Sequence, residues 1–283
     1  MSDKLNIRHL TETEIHIPLE MAMKEGWNPG IEDGPAFFAA DPTGFLAGEL
    51  DGQIIAVISA VRYEDTYGFI GFYICKREFR TRGYGHQIWH QAMSQLGTRL
   101  IGLDAVNEQT ASYGEHGFKS VYRNIRQTGV STCDVPMDPR IAPLGQGLYP
   151  SIRDYDARFV PALRENFLKV WTAPMLETRR GFAFVDNGEV RGYGVIRRCH
   201  EGYKIGPLFG DTPEIADTLF RALAGQVKGQ FVILDTPEPN AAALILAEKY
   251  ELSPEFETFR MYRGQAPDLP LDQIFGITTF ELG

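Results

Sequence analysis

The chain has 283 residues, 43% of them hydrophobic and 12% aromatic, which is enough apolar material for two cores of ordinary domain size. A net charge of −9 and a pI of about 5.2 provide no basic field for a phosphate backbone, so nucleic-acid binding is not expected. Cys75, Cys133 and Cys199 lack CxxC spacing, no apolar run approaches bilayer length, and the N-terminus has no secretory pattern; the expectation is a cytoplasmic protein without disulfides, bound metal or a membrane partner.

In chain order, LNIRHLT (5–11) reads as a strand, and apolar positions Ile15, Leu19, Ala22 and Met23 predict a helix that ends near Gly26. A short helical piece, IEDGPAFFAADP, precedes the strands GFLAGEL and QIIAVISAVRY, joined as a hairpin by Asp51-Gly52. YGFIGFYIC is β-rich and runs into the turn FRTRGYGHQIWH, after which Ile88, Trp89, Ala92, Met93 and Leu96 share one helical face. RLIGLDAV is a strand, ASYGEHGF a short helix closing at Gly117, and VYRNIRQTGV the last strand of a first unit, residues 1–135.

Residues 136–150 lack a period, are rich in Pro and Gly, and read as a linker. The pattern then restarts over 151–283. The helical segment ARFVPALRENFLKVW leads to a hairpin around Asn187-Gly188, the strand YKIGPLF, the helix TPEIADTLFRALAGQ, the strand QFVILDTP, the helix AAALILAEKY and a final strand near FETFRMYRG. Asp51-Gly52 and Asn187-Gly188 lie 136 residues apart, and Leu103-Asp104 and Leu234-Asp235 lie 131 apart, in the same order of elements. A duplicated α/β unit is therefore expected.

The glycine turn allows two readings. It is either an ordinary strand-to-helix connection or an anion site, because the first N–H groups of a helix lack intrahelical partners and glycines let an anion approach them. His86 after Gly85 departs from the P-loop's Gly-Lys-Ser/Thr, and Ile88 stands where a dinucleotide fingerprint needs its third glycine, which leaves nucleotide hydrolysis and a dinucleotide oxidoreductase without support.

The order Arg80, Thr81, Arg82, Gly83, Tyr84, Gly85 fills R-x-x-G-x-G after GFYIC, and NEQTASYGEHGF follows the next strand. Together these resemble the acyl-CoA loop and the Asn...Tyr...Gly-Phe segment of the GCN5-related N-acetyltransferase (GNAT) superfamily. EGWNPG, GFYIC, YKIGPLFGDTPEIA, LDTPEPN and IFGITTFELG extend the resemblance over nearly the whole chain, to a tandem GNAT subfamily of the YitH type with a catalytic first domain and a degenerate second one. The implied fold is α/β (α+β): two tandem GNAT-like domains, each a mixed, mostly antiparallel sheet flanked by helices. The implied activity is acetyl-CoA-dependent N-acetyl transfer to a primary amine of a small molecule by direct attack in a ternary complex, with acetyl-CoA as co-substrate. An acyl-CoA-binding sensor without catalysis is the alternative. The protein is expected as a monomer or a homodimer.

Residue by residue, the resemblance implies that the backbone of Tyr73, Ile74 and Cys75 holds the pantetheine arm. The loop Arg80, Thr81, Arg82, Gly83, Tyr84, Gly85 and His86 would hold the pyrophosphate, with Asn107 as a further cofactor contact. The interval from Asn107 to Tyr113 is one residue shorter than the commonest form. Tyr113 is the implied general acid, although a tyrosine there can also simply pack its helix on the sheet. Trp27, Asn28 and Asp33 fall where the family forms its acceptor pocket, and Trp27 can equally plug a core. Glu32, Asp33, Asp104 and Glu108 are each possible bases, and none is assigned. His86, His90 and His116 have no carboxylate or cysteine at metal-ligand spacing. In the second half, Gly210-Asp211 replaces the glycine loop, and an acid there is expected to cap the helix and repel phosphate.

Overall fold

A computed structural model describes residues 4–173 and 177–283. The first half contains β1 (Asn6–His9), α1 (His16–Lys24), α2 (Gly34–Ala40), β2 (Phe45–Leu50), β3 (Gln53–Tyr63), β4 (Tyr67–Cys75), α3 (Tyr84–Leu96), β5 (Leu100–Ala105), α4 (Thr110–Glu115) and β6 (Lys119–Val130). The second contains β7 (Ile141–Pro143), α5 (Tyr149–Asp156), α6 (Glu165–Trp171), β8 (Arg179–Asp186), β9 (Glu189–Arg198), β10 (Tyr203–Gly210), α7 (Pro213–Ala224), β11 (Phe231–Pro237), α8 (Ala241–Lys249), β12 (Ser253–Arg263) and β13 (Ile274–Gly276). Both hairpins form where Asp-Gly and Asn-Gly predict them, with Asp51 and Asn187 at positive φ.

Two local expectations differ from the structure. The predicted linker carries β7, paired antiparallel with β8, and the start of α5, whose first turn contains Pro150. The helix expected over ARFVPALRENFLKVW begins only at Glu165. Pro161 explains the break, since its ring and missing N–H oppose continuation of a helix through 157–164.

The strands form one continuous sheet in the order β1-β2-β3-β4-β5-β12-β6-β11-β10-β9-β8-β7, with β13 added on β10. All pairs are antiparallel except β4-β5 and β10-β11. Residues alternate across the sheet as the period of 2 requires. Ala56, Ile58 and Ala60 of β3 join the core that includes Trp89 and Leu96 of α3, while Val57 and Val61 join a core on the other face, shared by both halves. In that shared core Phe37 of α2 stacks on Trp171 of α6 with centroids 6.2 Å apart.

The centre of the sheet holds an exchange. β12, the last long strand of the second half, lies between β5 and β6, and β6, the last strand of the first half, lies between β12 and β11. One pair of buried charges repeats across both exchanged contacts. Arg260 of β12 stands opposite Asp104 of β5, with Nε to Oδ1 at 2.9 Å and Nη2 to Oδ2 at 2.8 Å. Arg126 of β6 stands opposite Asp235 of β11, with Nε to Oδ1 at 2.8 Å and Nη2 to Oδ2 at 3.0 Å. The duplicated Leu-Asp pairs thus each receive an arginine from the other half in bidentate geometry.

Burial alone would raise the Asp235 carboxyl, but the Arg126 charge and hydrogen bonds outweigh it and hold Asp235 below its ordinary value. A lowered folded-state carboxylate contributes stability above its unfolded pKa of about 4 and loses it as pH falls. Replacing Asp235 with Ala leaves Arg126 buried without its carboxylate. The expected cost is about 3–5 kcal/mol, read as a lower urea midpoint at neutral pH.

Candidate active site

The site grows from a defect in the sheet. β4 and β5 pair from Tyr67↔Leu100 to Ile70↔Leu103 and no further. Beyond Ile70, β4 follows β3 through a register shift and Phe72 takes φ 47, a bulge that turns the strand away from β5. The Phe72 ring holds this bend from below, packed at 5.8 Å from Phe37 and 6.4 Å from Phe45. The β5-facing backbone of Gly71 to Cys75 is thereby left to line a cleft.

The cleft has an outer trough of about 480 Å³ and an inner cavity of about 100 Å³. Ile74, Cys75, Arg80, Thr81 and Gly85 line the trough, and Trp27, Tyr73 and Tyr113 line both parts. At the trough's far end α3 follows Gly83, whose φ of 82 favours glycine and which brings no side chain to cap the helix. A Cβ on Gly85 would sit 2.8 Å from the Tyr73 hydroxyl, so the second glycine serves the close approach of that ring. An uncapped helix start beside an unpaired strand edge fits a pyrophosphate and an extended arm.

Arg80 has a bracing part. Its Nε donates to Cys75 O at 2.8 Å and its Nη2 pairs with Glu25 at 2.6 Å, which ties the loop to the end of β4 and to the residues after α1. Arg82 is exposed, 5.8 Å over Phe79, and Tyr84 is buried with its ring against Phe79. His86 lies outside the lining, with Nε2 3.0 Å from His90 Nε2. Asn107 is exposed on a 3-10 turn and lies outside both lined volumes. Among the described residues no group of three or more His, Cys, Asp or Glu is arranged to hold a metal ion.

Tyr113 projects from α4 against Trp89, at 5.4 Å, and Phe118, at 6.2 Å. Trp89 also packs Tyr73 at 5.4 Å, so one indole positions both cleft tyrosines. Burial raises the Tyr113 phenol well above its ordinary value, and burial pushes Tyr73 up to about 12. Both are phenols at neutral pH.

The inner cavity is closed by parts of the second half and the C-terminal segment. Phe256 and Thr258 of β12 and Phe280 and Glu281 of the tail join Trp27, Asp104 and Arg126 in its wall. Arg126 lies 4.9 Å over Phe280 and donates to Trp27 O at 3.2 Å. A Cβ on Gly71 would be 2.0 Å from Glu281 O, so the tail crosses directly over the bent strand. Sequence reasoning assigned no role to Phe256, Phe280 or Glu281, since a contact across 200 residues leaves no local periodicity.

Asn28 and Asp33 are placed away from the cavity lining. The Asn28 amide exchanges hydrogen bonds with the Glu201 backbone, Nδ2 to O at 2.8 Å and N to Oδ1 at 3.1 Å. Buried Asp33 pairs with Arg197 at 3.0 Å and accepts from Gly30 N at 2.9 Å. Both residues dock the segment after α1 on the second half.

The second half has the same splay but fills it. β10 leaves β11 after Ile205↔Leu234, and β13 pairs with the released edge at Leu208 and Phe209. Thr212 caps α7, its hydroxyl accepting from Ile215 N at 3.4 Å. The expected acid, Asp211, is instead bound by Tyr155 at 2.9 Å and Arg158 at 3.0 Å. A strand of the chain itself and a side-chain cap therefore occupy the places that are open in the first half.

Comparison with known proteins agrees with this duplication. Residues 10–118 match the family described as "Acetyltransferase (GNAT) family", and residues 152–276 match "Acetyltransferase (GNAT) domain". A protein of Pseudoalteromonas sp. (strain SANK 73390) named holothin acyltransferase is 31% identical over 271 residues, covering 95% of this chain and 92% of that one. A solved structure of a Pyrococcus horikoshii protein assigned as an acetyltransferase superposes with a TM-score of 0.80 at 20% identity, covering 100% of this chain and 97% of the other. A tandem GNAT protein from the clavulanic acid biosynthesis pathway superposes with a TM-score of 0.61 at 11% identity, covering 93% and 100%.

Proposed function

The chain belongs to the GNAT acetyltransferase superfamily, with two domains of that family in tandem, and from this premise we propose that it transfers an acetyl group from acetyl-CoA to a primary amine of a small molecule by direct attack. The observation that carries the reading is the asymmetry between the halves. One splay is open, with an uncapped helix start and two phenols in its wall, and the other is filled by β13 and Thr212. The first half is thus assigned the chemistry and the second the support of the cavity. The motifs EGWNPG and IFGITTFELG support placement in the tandem YitH-type subfamily.

Acetyl-CoA supplies an activated acyl group. In this reading the chain's own residues hold the pyrophosphate on the α3 amides, align the arm along Gly71 to Cys75 and admit the amine from the inner cavity, so that proximity supplies much of the rate. Tyr113 keeps a proton at Oη for the sulfur that leaves. The low-dielectric wall that makes the phenol a weaker acid makes a departing thiolate a stronger base, which keeps the two matched.

The test is thiol release from acetyl-CoA with the purified full-length protein and a panel of primary alkyl and aryl amines. Saturable, amine-dependent release is expected. CoA binding with no release on any amine would favour the sensor reading instead.

A further inference from the structure

We propose that Glu281, two residues before the last described residue, is the carboxylate that receives the acceptor amine in the first half's active site and takes its ammonium proton. The inference deepens the acetyltransfer reading and rests on it.

A primary amine arrives at neutral pH as an ammonium ion, which has no lone pair to attack with. Most carboxylates near the cleft are already committed. Asp104 pairs with Arg260 and accepts from Asn124 Nδ2 at 2.9 Å, and Asp33 pairs with Arg197. The Glu32 carboxylate accepts from Thr178, and Glu108 is exposed in the outer trough.

Glu281 differs from all of them. It lines the inner cavity, it is 3% exposed, and its Oε2 is buried without a hydrogen-bond donor among the described residues. A buried carboxylate oxygen left unpaired is unfavourable, and a site that retains one beside a cavity is suited to a polar ligand there. Trp27, Phe256 and Phe280 give that cavity apolar and aromatic walls suited to an organic cation.

The surrounding charges permit the role. Arg197 and Arg126 stand near Glu281 but are matched by Asp33 and Asp235. Lys204 donates to Asn28 O at 2.9 Å. Burial, the largest influence, raises the Glu281 carboxyl above its ordinary value, while Lys204, Arg197 and Arg126 work to lower it. A stronger conjugate base is a better proton acceptor for an amine.

The protons balance. The ammonium proton passes to Glu281, the freed nitrogen lone pair forms the N–C bond, and the C–S bond breaks. Sulfur takes the Tyr113 proton, the second proton shed by nitrogen restores the phenol, and Glu281 returns its proton to water. One proton is released per amide formed.

The test needs no turnover. Benzylamine, a cation at pH of about 7.5, and benzyl alcohol, its uncharged counterpart, are titrated calorimetrically into the CoA-saturated full-length protein. Benzylammonium is expected to bind about tenfold or more tightly than the alcohol. Glu281→Gln removes that preference and leaves alcohol and CoA affinities unchanged, while Glu281→Asp keeps part of it. If Glu281→Gln does not fold, the Asp variant and the wild-type preference carry the comparison. No preference in the wild type, or one that survives in Glu281→Gln, overturns the inference. Absence of thiol release with every amine is a separate result and counts against acetyl transfer itself.

Discussion

A chain ending after residue 150 is expected to be insoluble or unfolded, without CoA binding and without thiol release. The truncation removes β12, the partner of β5 on the side away from β4, and removes β12 and β11, the neighbours of β6. It leaves Asp104 and Arg126 at buried positions without Arg260 and Asp235. Each severed pair is worth about 3–5 kcal/mol when one partner is lost, against a total stability of roughly 5–15 kcal/mol for a domain. The newly bared strands would also present unpaired edges that favour aggregation. The inner cavity would lose Phe256, Thr258, Phe280 and Glu281 from its wall. Size-exclusion chromatography, thermal melting by circular dichroism and acetyl-CoA titration of the 1–150 fragment check this. A soluble fragment with a cooperative melt and normal CoA affinity would show that the exchanged strands are dispensable.

The same exchange separates what was readable in the amino-acid order from what was not. Asp51-Gly52 and Asn187-Gly188 predict their hairpins because an Asx-Gly turn is a two-residue event. The α3 helix follows from Ile88, Trp89, Ala92 and Leu96, all buried on one face. Gly83 and Gly85 are visible as a turn, though their separate uses, a positive φ and room for the Tyr73 hydroxyl, depend on how the strand and helix meet.

Strand partners are another matter, since β6 reads identically whether its neighbours come from its own half or the other. A signal was present nonetheless. Arg126 and Arg260 occur on the strands that follow the two Leu-Asp pairs, and two unpaired arginines inside apolar strands ask for buried acids. The tail was harder still. Residues 277–283 have too little periodicity to place, and contacts distant in sequence, such as Glu281 against Gly71 and Phe280 under Arg126, show where they go.

Tyr113→Phe is expected to lower kcat roughly 10²-fold or more while leaving acetyl-CoA affinity and the melting temperature close to wild type. The substitution keeps the aromatic contacts to Trp89 and Phe118 that seat the ring, so the fold and the trough should be undisturbed. What it removes is the hydroxyl proton in the wall shared by the trough and the inner cavity. Without a donor, the departing sulfur must leave as a thiolate into a low-dielectric site, and the penalty falls on the transition state and not on binding. Because burial raises this phenol above its ordinary value of about 10, its loss by ionisation should not limit the rate on the alkaline side below about pH 10. Steady-state kinetics with the best amine of the panel, paired with calorimetric CoA titration, separates the outcomes. A fall confined to kcat supports proton donation, a rise confined to the acetyl-CoA KM assigns Tyr113 to binding, and unchanged kinetics leave it as packing for α4.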